Sequence, residues 1–327
     1  MSKRPAISIH RPRTPARHLA AAAAAIARLS KDPGSPFHRR PPSGFLRGID
    51  FYSGHDLLHV MANAMRGFEA AHGHFPDLAD PRRCQEKLFW RKFLGQVKVP
   101  ESGDKLTHHR LISDALRPVV RVPEVVWRSA TPSLPDDDEI EPGWYFLKAN
   151  HGSRFNAQVR FPLPPGQRAV LARLTARWLD AAYGIDDGEW WYGLVPRRIF
   201  LERSLSGGAT IVTWEFVVVN GVLAGVNAVR RIGTAKNVAW MRPDFTLHDF
   251  QDPAVLAIVD PPPLADAARL RDIVLELARP FNFVRVDLHV VGGAIYLSEF
   301  TLSPANALSV LPPVVDELRT RLWRVLE

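Results

Sequence analysis

From Asp80 onward the sequence predicts a mixed fold of the α/β or α+β class. Short apolar segments typical of strands alternate there with longer amphipathic segments typical of helices. The chain has 327 residues, of which 46% are hydrophobic and 23% charged, so it can bury a large core. This length is compatible with one or two compact units, or with several lobes around one cleft.

Each predicted element follows from the spacing of its apolar residues. Helices are predicted over Asp56 to Ala71, Gln167 to Tyr183 and Leu264 to Ala278. The acidic segment from Thr131 to Glu141 is a candidate hinge between lobes. The predicted strands are Tyr145 to Lys148, Gln158 to Phe161, Arg198 to Arg203, Thr213 to Val219, Val222 to Arg230, Val284 to Val291 and Ala294 to Phe300.

The positive charge of the chain is concentrated at the N-terminus. The formal net charge is +8, but residues 1–47 alone carry +9, which leaves −1 for the rest. A folded body that bound nucleic acid would be expected to carry the excess itself, because phosphate neutralisation supplies most of the affinity. Residues 1–47 also contain few large apolar side chains, so we predict a basic, disordered tail. Two interpretations of this tail stay open: a solvated segment, or a segment that contacts an anionic polymer.

The cellular compartment is predicted from cysteine content and hydropathy. The single cysteine, Cys84, cannot form an internal disulfide, which suits a reducing compartment. No apolar run approaches the roughly 18 residues that span a bilayer. Residues Leu19 to Ala27 resemble a signal peptide, but their alanines are only weakly apolar. We therefore expect a cytoplasmic protein without a transmembrane segment, and association with the inner face of the membrane stays open.

Two predicted strands near the C-terminus carry acids among apolar residues, and Gly292-Gly293 joins them. Arg285 and Asp287 share one face of the first strand because side chains alternate with a period of two, and Glu299 can lie opposite on the second. Burying two carboxylates is costly unless a cation neutralises them. Hard oxygen ligands of this kind suit Mg²⁺ that bridges ATP phosphates. A structural salt bridge from Arg285 explains the pattern equally well.

Two further strand ends carry charged residues. Lys148 ends a strand that runs into a small polar loop, Ala149 to Arg154, whose backbone N–H groups can bind phosphate beside the lysine. Glu202 ends another strand, where it can accept hydrogen bonds from a ribose hydroxyl or an adenine amine. Taken alone, each residue also has a simpler structural explanation. Lys148 can end a plain strand that is followed by a turn, and Glu202 can be a solvated acid at a strand end.

Taken in order, these motifs resemble the ATP-grasp fold and, within it, the TupA-like branch that is named for teichuronopeptide biosynthesis. Each motif is short, and their joint order carries the resemblance. The matching segments are Asp80 to Trp90, Gly103-Asp104-Lys105 with Arg110, Leu147 to Ser153, Arg285-Val286-Asp287 and Glu299 to Pro304.

The resemblance implies an α+β fold in which two α+β lobes clasp a nucleotide. It divides the chain into a helical lead-in (48–79), an N-terminal subdomain (80–143), a lid (144–203) and a catalytic subdomain (204–327), which follow the basic tail (1–47). It further implies that Lys105 and Lys148 contact ATP phosphates, that Glu202 lies near the adenosine and that Arg285 faces phosphate or an acyl phosphate. The phosphate loop would be His151-Gly152-Ser153, and the Mg²⁺ ligands would be Asp287 and Glu299.

The sequence departs from the family pattern at two positions. Many ATP-grasp enzymes have Asn two residues after the metal-binding Glu, where this chain has Thr301, so we expect Asn306 to contribute to the metal site. The branch usually has a lysine where this chain has Glu215. We expect Arg230 or Arg231 to compensate for the lost positive charge.

The activity that the resemblance implies is ligation of a carboxylate to an amine through an acyl phosphate, with ATP and Mg²⁺ as cofactors and ADP as a product. The branch points to the modification of a cell-surface polysaccharide or its precursor with an amino acid. Two alternatives stay open. One is a phosphotransferase on the same fold, and the other is a non-catalytic nucleotide-binding protein whose basic tail recruits an anionic polymer.

Overall fold

The computed structural model describes residues 45–52, 54–78, 80–232, 235–250 and 264–323. The chain divides into two compact units. Unit 1 is drawn from Met1–Pro100, Ala182–Leu194 and Leu302–Glu327, and unit 2 from Glu101–Ala181 and Val195–Thr301. Both helices and sheets are present, so the predicted α+β class is confirmed.

The elements are numbered here in chain order. The helices are α1 (Gly48–Phe51), α2 (Gly54–His72), α3 (Cys84–Phe93), α4 (Gln167–Asp180), α5 (Leu264–Ala278) and α6 (Pro313–Leu322). The strands are β1 (Phe45–Leu46), β2 (Val97–Lys98), β3 (Val120–Arg121), β4 (Val125–Ser129), β5 (Gly143–Ala149), β6 (Asn156–Phe161), β7 (Ile199–Arg203), β8 (Thr213–Val219), β9 (Val222–Ile232), β10 (Ala235–Met241), β11 (Phe283–Val291) and β12 (Ala294–Thr301).

Unit 1 is built around α3, all of whose residues are buried. Glu86 caps the start of this helix, because its Oε2 atom accepts a hydrogen bond from the Arg83 N–H at 2.9 Å. Lys87 donates to the carbonyls of Thr320 and Trp323 at the end of α6, at 2.9 and 2.6 Å. The Glu-Lys pair of the first family motif is therefore explained by helix capping.

Cys84 also belongs to this buried helix. Its side chain is 1% exposed, and its backbone N–H donates to Asp316 Oδ1 at 3.1 Å. Burial raises the pKa of the thiol to about 12, so the side chain is neutral at physiological pH.

The first sheet of unit 2 has four antiparallel strands in the order β4-β7-β5-β6. One face is apolar and packs with α4 in a core that includes Tyr145, Leu147, Leu201 and Trp178. Since side chains alternate along a strand, Lys148 and Glu202 lie on the opposite face.

The second sheet of unit 2 has six strands in the order β10-β9-β8-β11-β12-β3. Every pairing is antiparallel except that of β12 with β3. Val284 and Val286 are fully buried on one face of β11, and α5 packs against β8, β9 and β11. The polar residues of β11 lie on the other face.

All the predicted strands and helices are present, with shifts of a few residues at their ends. The helix predicted to reach Tyr183 ends at Asp180, because Ala181 is already extended. The sequence prediction missed strands β1, β2, β3, β4 and β10 and helices α1, α3 and α6. The segment proposed as a hinge, Thr131 to Glu141, connects β4 to β5 within one sheet, so it does not separate two lobes.

The predicted tail lies outside the described residues as far as position 44. Its last residues belong to the fold of unit 1, because Phe45 and Leu46 pair with Lys98 and Val97. Arg47 is only 2% exposed. Residues 45–47, which the prediction assigned to the tail, are thus part of the described fold. Across the described ranges, no helix combines the length and hydropathy needed to cross a membrane.

Candidate functional site

An acidic cluster lies on the polar face of the six-stranded sheet. Asp287 on β11 stands directly opposite Glu299 on β12, because the register shifts between Asp287 and Leu288. Without this β-bulge, the regular register from the Gly-Gly turn would place Ser298 opposite Asp287. Arg285 binds Asp287 with two hydrogen bonds, Nε to Oδ1 at 2.7 Å and Nη2 to Oδ2 at 2.6 Å. The same Nη2 lies 3.4 Å from Glu299 Oε1 and 3.1 Å from Thr301 Oγ1. The salt bridge that the sequence left as an alternative is thus present.

Burial acts differently on the two carboxyl groups. Desolvation raises the pKa of Asp287 well above its ordinary value, although Arg285 opposes this shift. At Glu299 desolvation also acts upward, but Lys105 and Arg285 together outweigh it and lower the pKa to about 2. Glu299 is therefore a stable anion, whereas the negative charge of Asp287 is only partly compensated.

Glu215 on β8 adds a third carboxylate beside Asp287, its direct partner across the ladder. Its side chain is 8% exposed. Oε1 lies 3.4 Å from Lys236 Nζ and 3.8 Å from Arg285 Nη1, and Oε2 accepts a hydrogen bond from Asn227 at 3.3 Å. The cation nearest to Glu215 is thus Lys236, which reaches it from the edge strand β10.

Lys105 connects the acidic cluster to the loop that follows β5. Its Nζ atom lies 2.5 Å from the carbonyl oxygen of Gly152 and 3.5 Å from Glu299 Oε2. Asn150 fixes the turn that carries Lys105. Its side-chain amide donates to Asp104 Oδ1 at 2.9 Å, and its backbone carbonyl accepts a hydrogen bond from the Lys105 N–H at 3.1 Å. The Asp-Lys and Lys-Ala-Asn-His-Gly motifs are therefore in direct contact.

The loop His151-Gly152-Ser153 can offer backbone N–H groups to an anion. Among the described residues, no backbone carbonyl accepts a hydrogen bond from any of these three N–H groups. Gly152 has φ +84°, a left-handed conformation that favours glycine. The His151 side chain is buried and contacts the Trp178 carbonyl at 3.0 Å, and burial lowers its pKa to about 4. Its neutral imidazole is therefore turned toward the core of the four-stranded sheet.

Lys148 and Glu202 form an ion pair on the polar face of the four-stranded sheet. Glu202 and Lys105 also line a cleft of about 510 Å³. The apolar part of its lining comes from Leu106, Val122, Pro123, Val125, Val126 and Trp127, and the remaining polar part from His108, His109, Glu124 and Arg128. A cleft that combines an apolar wall with hydrogen-bonding and charged groups has the chemistry that a nucleoside requires.

The remaining predicted residues lie elsewhere. Arg230 pairs with Asn237 on β10, and its side chain alternates to the face opposite Glu215. Arg231 shares the face of Glu215 and stands opposite Lys236.

Asn306 belongs to unit 1 and lies among three consecutive residues with positive φ, Ala305 to Ala307. Its side-chain oxygen accepts a hydrogen bond from Lys92 Nζ at 2.7 Å. Lys92 is buried, and desolvation lowers its pKa to about 8. The prediction that Asn306 contributes to a metal site stays a prediction.

The carboxylates of the cluster fit a magnesium site in which the phosphate oxygens of a nucleotide supply the remaining ligands. Within the described ranges, no group of three or more His, Cys, Asp or Glu side chains is arranged to hold a metal ion. Mg²⁺ does not require such a group, because it is commonly bound by one or two carboxylates together with phosphate oxygens and water. The partly compensated charge of Asp287 and the adjacent Glu299 provide that minimal set.

Sequence reasoning missed several residues that the structure brings to this region. Lys236 lies on β10, which was not predicted, and Asn227 lies in the apolar first part of β9. His108 lines the cleft, and its Nδ1 atom is buried without a hydrogen-bond partner among the described residues. Burial lowers its pKa to about 3, so its ring is neutral.

No protein-family model and no curated protein sequence matches the chain. Solved structures resemble it at low identity. The D-alanine–D-alanine ligase from Bacillus anthracis complexed with ATP is 13% identical, over 68% of this chain and 63% of that one, with a TM-score of 0.40. The ATP-grasp ligase PsnB complexed with its minimal precursor is 12% identical, over 67% and 60%, with a TM-score of 0.35. The macrocyclase MdnC bound with the precursor peptide MdnA from Microcystis aeruginosa is 11% identical, over 68% and 61%, with a TM-score of 0.35.

The matched part of the chain spans about three fifths of the length of these proteins. At TM-scores this low the likeness adds no argument about activity or substrate.

Proposed function

We propose that the chain is an ATP-grasp ligase that uses ATP and Mg²⁺ to join a carboxylate to an amine, with release of ADP and phosphate. The observation that carries this proposal is the double contact of the Lys105 ammonium. It touches the Gly152 carbonyl of the loop after β5 and the Glu299 carboxylate of the acidic cluster. A polyphosphate lying along Lys105 would meet backbone N–H groups on one side and paired carboxylates on the other.

The charged side chains then take separate roles. Asp287 and Glu299 would hold Mg²⁺, which supplies neutralisation of phosphate charge when bound. Arg285 would face the transferred phosphoryl group, and Lys148 would add a point charge on the opposite sheet. The cleft beside Glu202 would take the adenosine. These are positioning and neutralising roles, which suit phosphoryl transfer to a carboxylate and attack of an amine on the acyl phosphate.

The substrate class rests on the sequence motifs alone. Their order resembles the TupA-like branch, so we propose that the acceptor or donor is linked to a cell-surface polysaccharide or its precursor. The reaction would then take place in the cytoplasm, where ATP and such precursors are available.

A turnover screen with amino acids and uronic-acid sugars tests this proposal. We expect ADP, inorganic phosphate and an amide to form in equal amounts, only when ATP, Mg²⁺ and both substrates are present. A phosphorylated product without free phosphate would instead indicate a phosphotransferase. Nucleotide binding without turnover across the panel would indicate a non-catalytic binding protein.

A further inference from the structure

We infer that Glu215, Asn227, Lys236 and Arg231 form a subsite for a zwitterionic α-amino acid, with its ammonium on Glu215 and its carboxylate on the two cations. This inference rests on the proposed function, since the amino acid would supply the amine that is ligated. The four side chains come from three neighbouring strands, β8, β9 and β10, and lie on the polar face of the six-stranded sheet.

The first observation is a buried carboxylate whose hydrogen bonds are both long. The side chain of Glu215 is 8% exposed, yet its contacts are long, at 3.3 Å to Asn227 Nδ2 and 3.4 Å to Lys236 Nζ. Arg285 Nη1 is more distant, at 3.8 Å, and its hydrogen bonds go to Asp287. A buried carboxylate gains from a closer cationic donor. The ammonium of Lys236 already shows that a primary ammonium can approach this position.

The second observation is a pair of like charges. Arg231 and Lys236 stand directly opposite each other on β9 and β10. Like charges at such positions repel, unless an anion lies between them. In the part of the chain that the structure describes, Arg231 forms no ion pair. The ion pair of Lys236 there is with Glu215, at 3.4 Å. A ligand carboxylate would neutralise both cations and free Glu215 for an ammonium.

The third observation is the position of this group beside the acidic cluster. Glu215 is paired directly with Asp287 across the β8–β11 ladder, and directly opposed residues in such a ladder have Cα atoms about 5 Å apart. An amine held on Glu215 would therefore lie next to the carboxylates proposed to hold Mg²⁺ and the reacting phosphate. The subsite is thus placed where the amine of a ligase has to be.

Calorimetric titration of the full chain with each standard amino acid tests the inference, both alone and with Mg²⁺ and a non-hydrolysable ATP analogue. We expect at least one amino acid to bind. Its N-acetyl derivative, which lacks the ammonium, and its carboxamide, which lacks the carboxylate, should each bind at least tenfold more weakly. Because these comparisons use the unchanged protein, they do not depend on the folding of any variant.

Variants then assign each end of the ligand. Glu215→Gln should lower the affinity for the amino acid at least tenfold, and Lys236→Met should lower it for the amino acid but not for its carboxamide. The exposed Asp114→Asn and Lys98→Met serve as matched controls that should leave the affinity unchanged. If no amino acid binds while the ATP analogue does, or if Glu215→Gln binds as tightly as the parent protein, the inference is wrong although the proposed ligase function survives.

Discussion

The side-chain amide of Asn150 binds Asp104 Oδ1 at 2.9 Å and thereby joins the two segments that carry Lys148 and Lys105. Asn150 is 1% exposed, and its amide also contacts the Pro196 carbonyl and the Arg198 N–H. Buried hydrogen bonds of this kind are costly to leave unsatisfied. This pair therefore fixes the separation of the two lysines before any ligand arrives.

The first prediction concerns this pair. Asn150→Ala should lower the free energy of unfolding by about 1 to 3 kcal/mol and weaken binding of Mg²⁺-ATP, because the loop after β5 loses its anchor. Urea unfolding and nucleotide calorimetry measure the two effects. In a double-mutant cycle with Asp104→Ala, the effects on stability should be strongly non-additive. Simple additivity would show that the two residues act independently.

The second prediction concerns the acidic cluster. Asp287→Asn and Glu299→Gln should each abolish ATP turnover, because the proposed Mg²⁺ site loses a charged ligand. In Asp287→Asn, the thermal unfolding temperature without nucleotide should change far less than the activity, because burial already disfavours the charge of Asp287 in the parent protein. Normal turnover in both variants would remove the metal-site assignment.

A third prediction concerns Lys148, which is held by Glu202 in the structure. Lys148→Met should weaken Mg²⁺-ATP binding roughly tenfold or more, since one charge-assisted hydrogen bond contributes about 1.5 to 3 kcal/mol. Glu202→Gln should preserve phosphate binding but weaken discrimination between ATP and other nucleoside triphosphates. Calorimetry with ATP and GTP distinguishes the two variants, and unchanged affinity in Lys148→Met would make this lysine a structural ion-pair partner only.

The fourth prediction concerns the pH dependence of stability. The pKa of Lys92 is lowered from 10.5 to about 8 by burial. Below pH 8 the folded state therefore keeps a costly buried charge, and between pH 8 and 10.5 the unfolded chain binds more protons than the folded one. Over that interval this residue should raise the free energy of unfolding by up to about 3 kcal/mol. The control is Lys92→Met, which keeps the other titrating groups of the parent protein. The difference between the two proteins in the pH dependence of the free energy of urea unfolding therefore isolates Lys92. Parallel profiles above pH 8 would contradict the assignment.

The fifth prediction concerns the basic N-terminal segment. A chain that starts at Phe45 should fold and turn over ATP like the full chain, whereas one that starts at Gly48 should be less stable, because it lacks β1 and the buried Arg47. Both should lose salt-sensitive retention on an anionic polysaccharide column. Comparing retention at low and high salt, alongside ATP turnover, tests each part. Undiminished retention of the shortened chains would place polymer binding in the folded units.

The parts of the site that the sequence predicted depend on local periodicity. Arg285, Asp287 and Glu299 could be placed on neighbouring strands because both segments are largely apolar and a Gly-Gly turn joins them. The exact pairing could not be derived, because the register set by that turn puts Ser298 opposite Asp287 and a β-bulge brings Glu299 there instead. Lys148 and Glu202 could likewise be assigned to strand ends from the local sequence pattern. Their mutual ion pair was not foreseen, since it requires β7 to pair with β5 over a long sequence separation.

The parts that were missed depend on tertiary contacts. Lys236 acquires its role only because β10 adds to the edge of a sheet beside β9, and its strand lacks a clear apolar alternation. Arg230 and Arg231 were both named as residues that could compensate for the charge lost at position 215. Side-chain alternation turns Arg230 away from Glu215 and places Arg231 on the same face. The hydrogen bond from Lys92 to the side chain of Asn306 could not be foreseen either, because the two residues lie 214 positions apart in the chain.

The burial of Cys84 makes the protein suited to site-specific labelling. It is the sole cysteine of the chain, and a thiol with a pKa of about 12 scarcely forms the thiolate that maleimide dyes modify at neutral pH. A cysteine introduced at Val125, which is 41% exposed on the cleft wall, would therefore carry a fluorophore at one defined position without removal of the native residue. The emission of that fluorophore would follow occupancy of the cleft in real time.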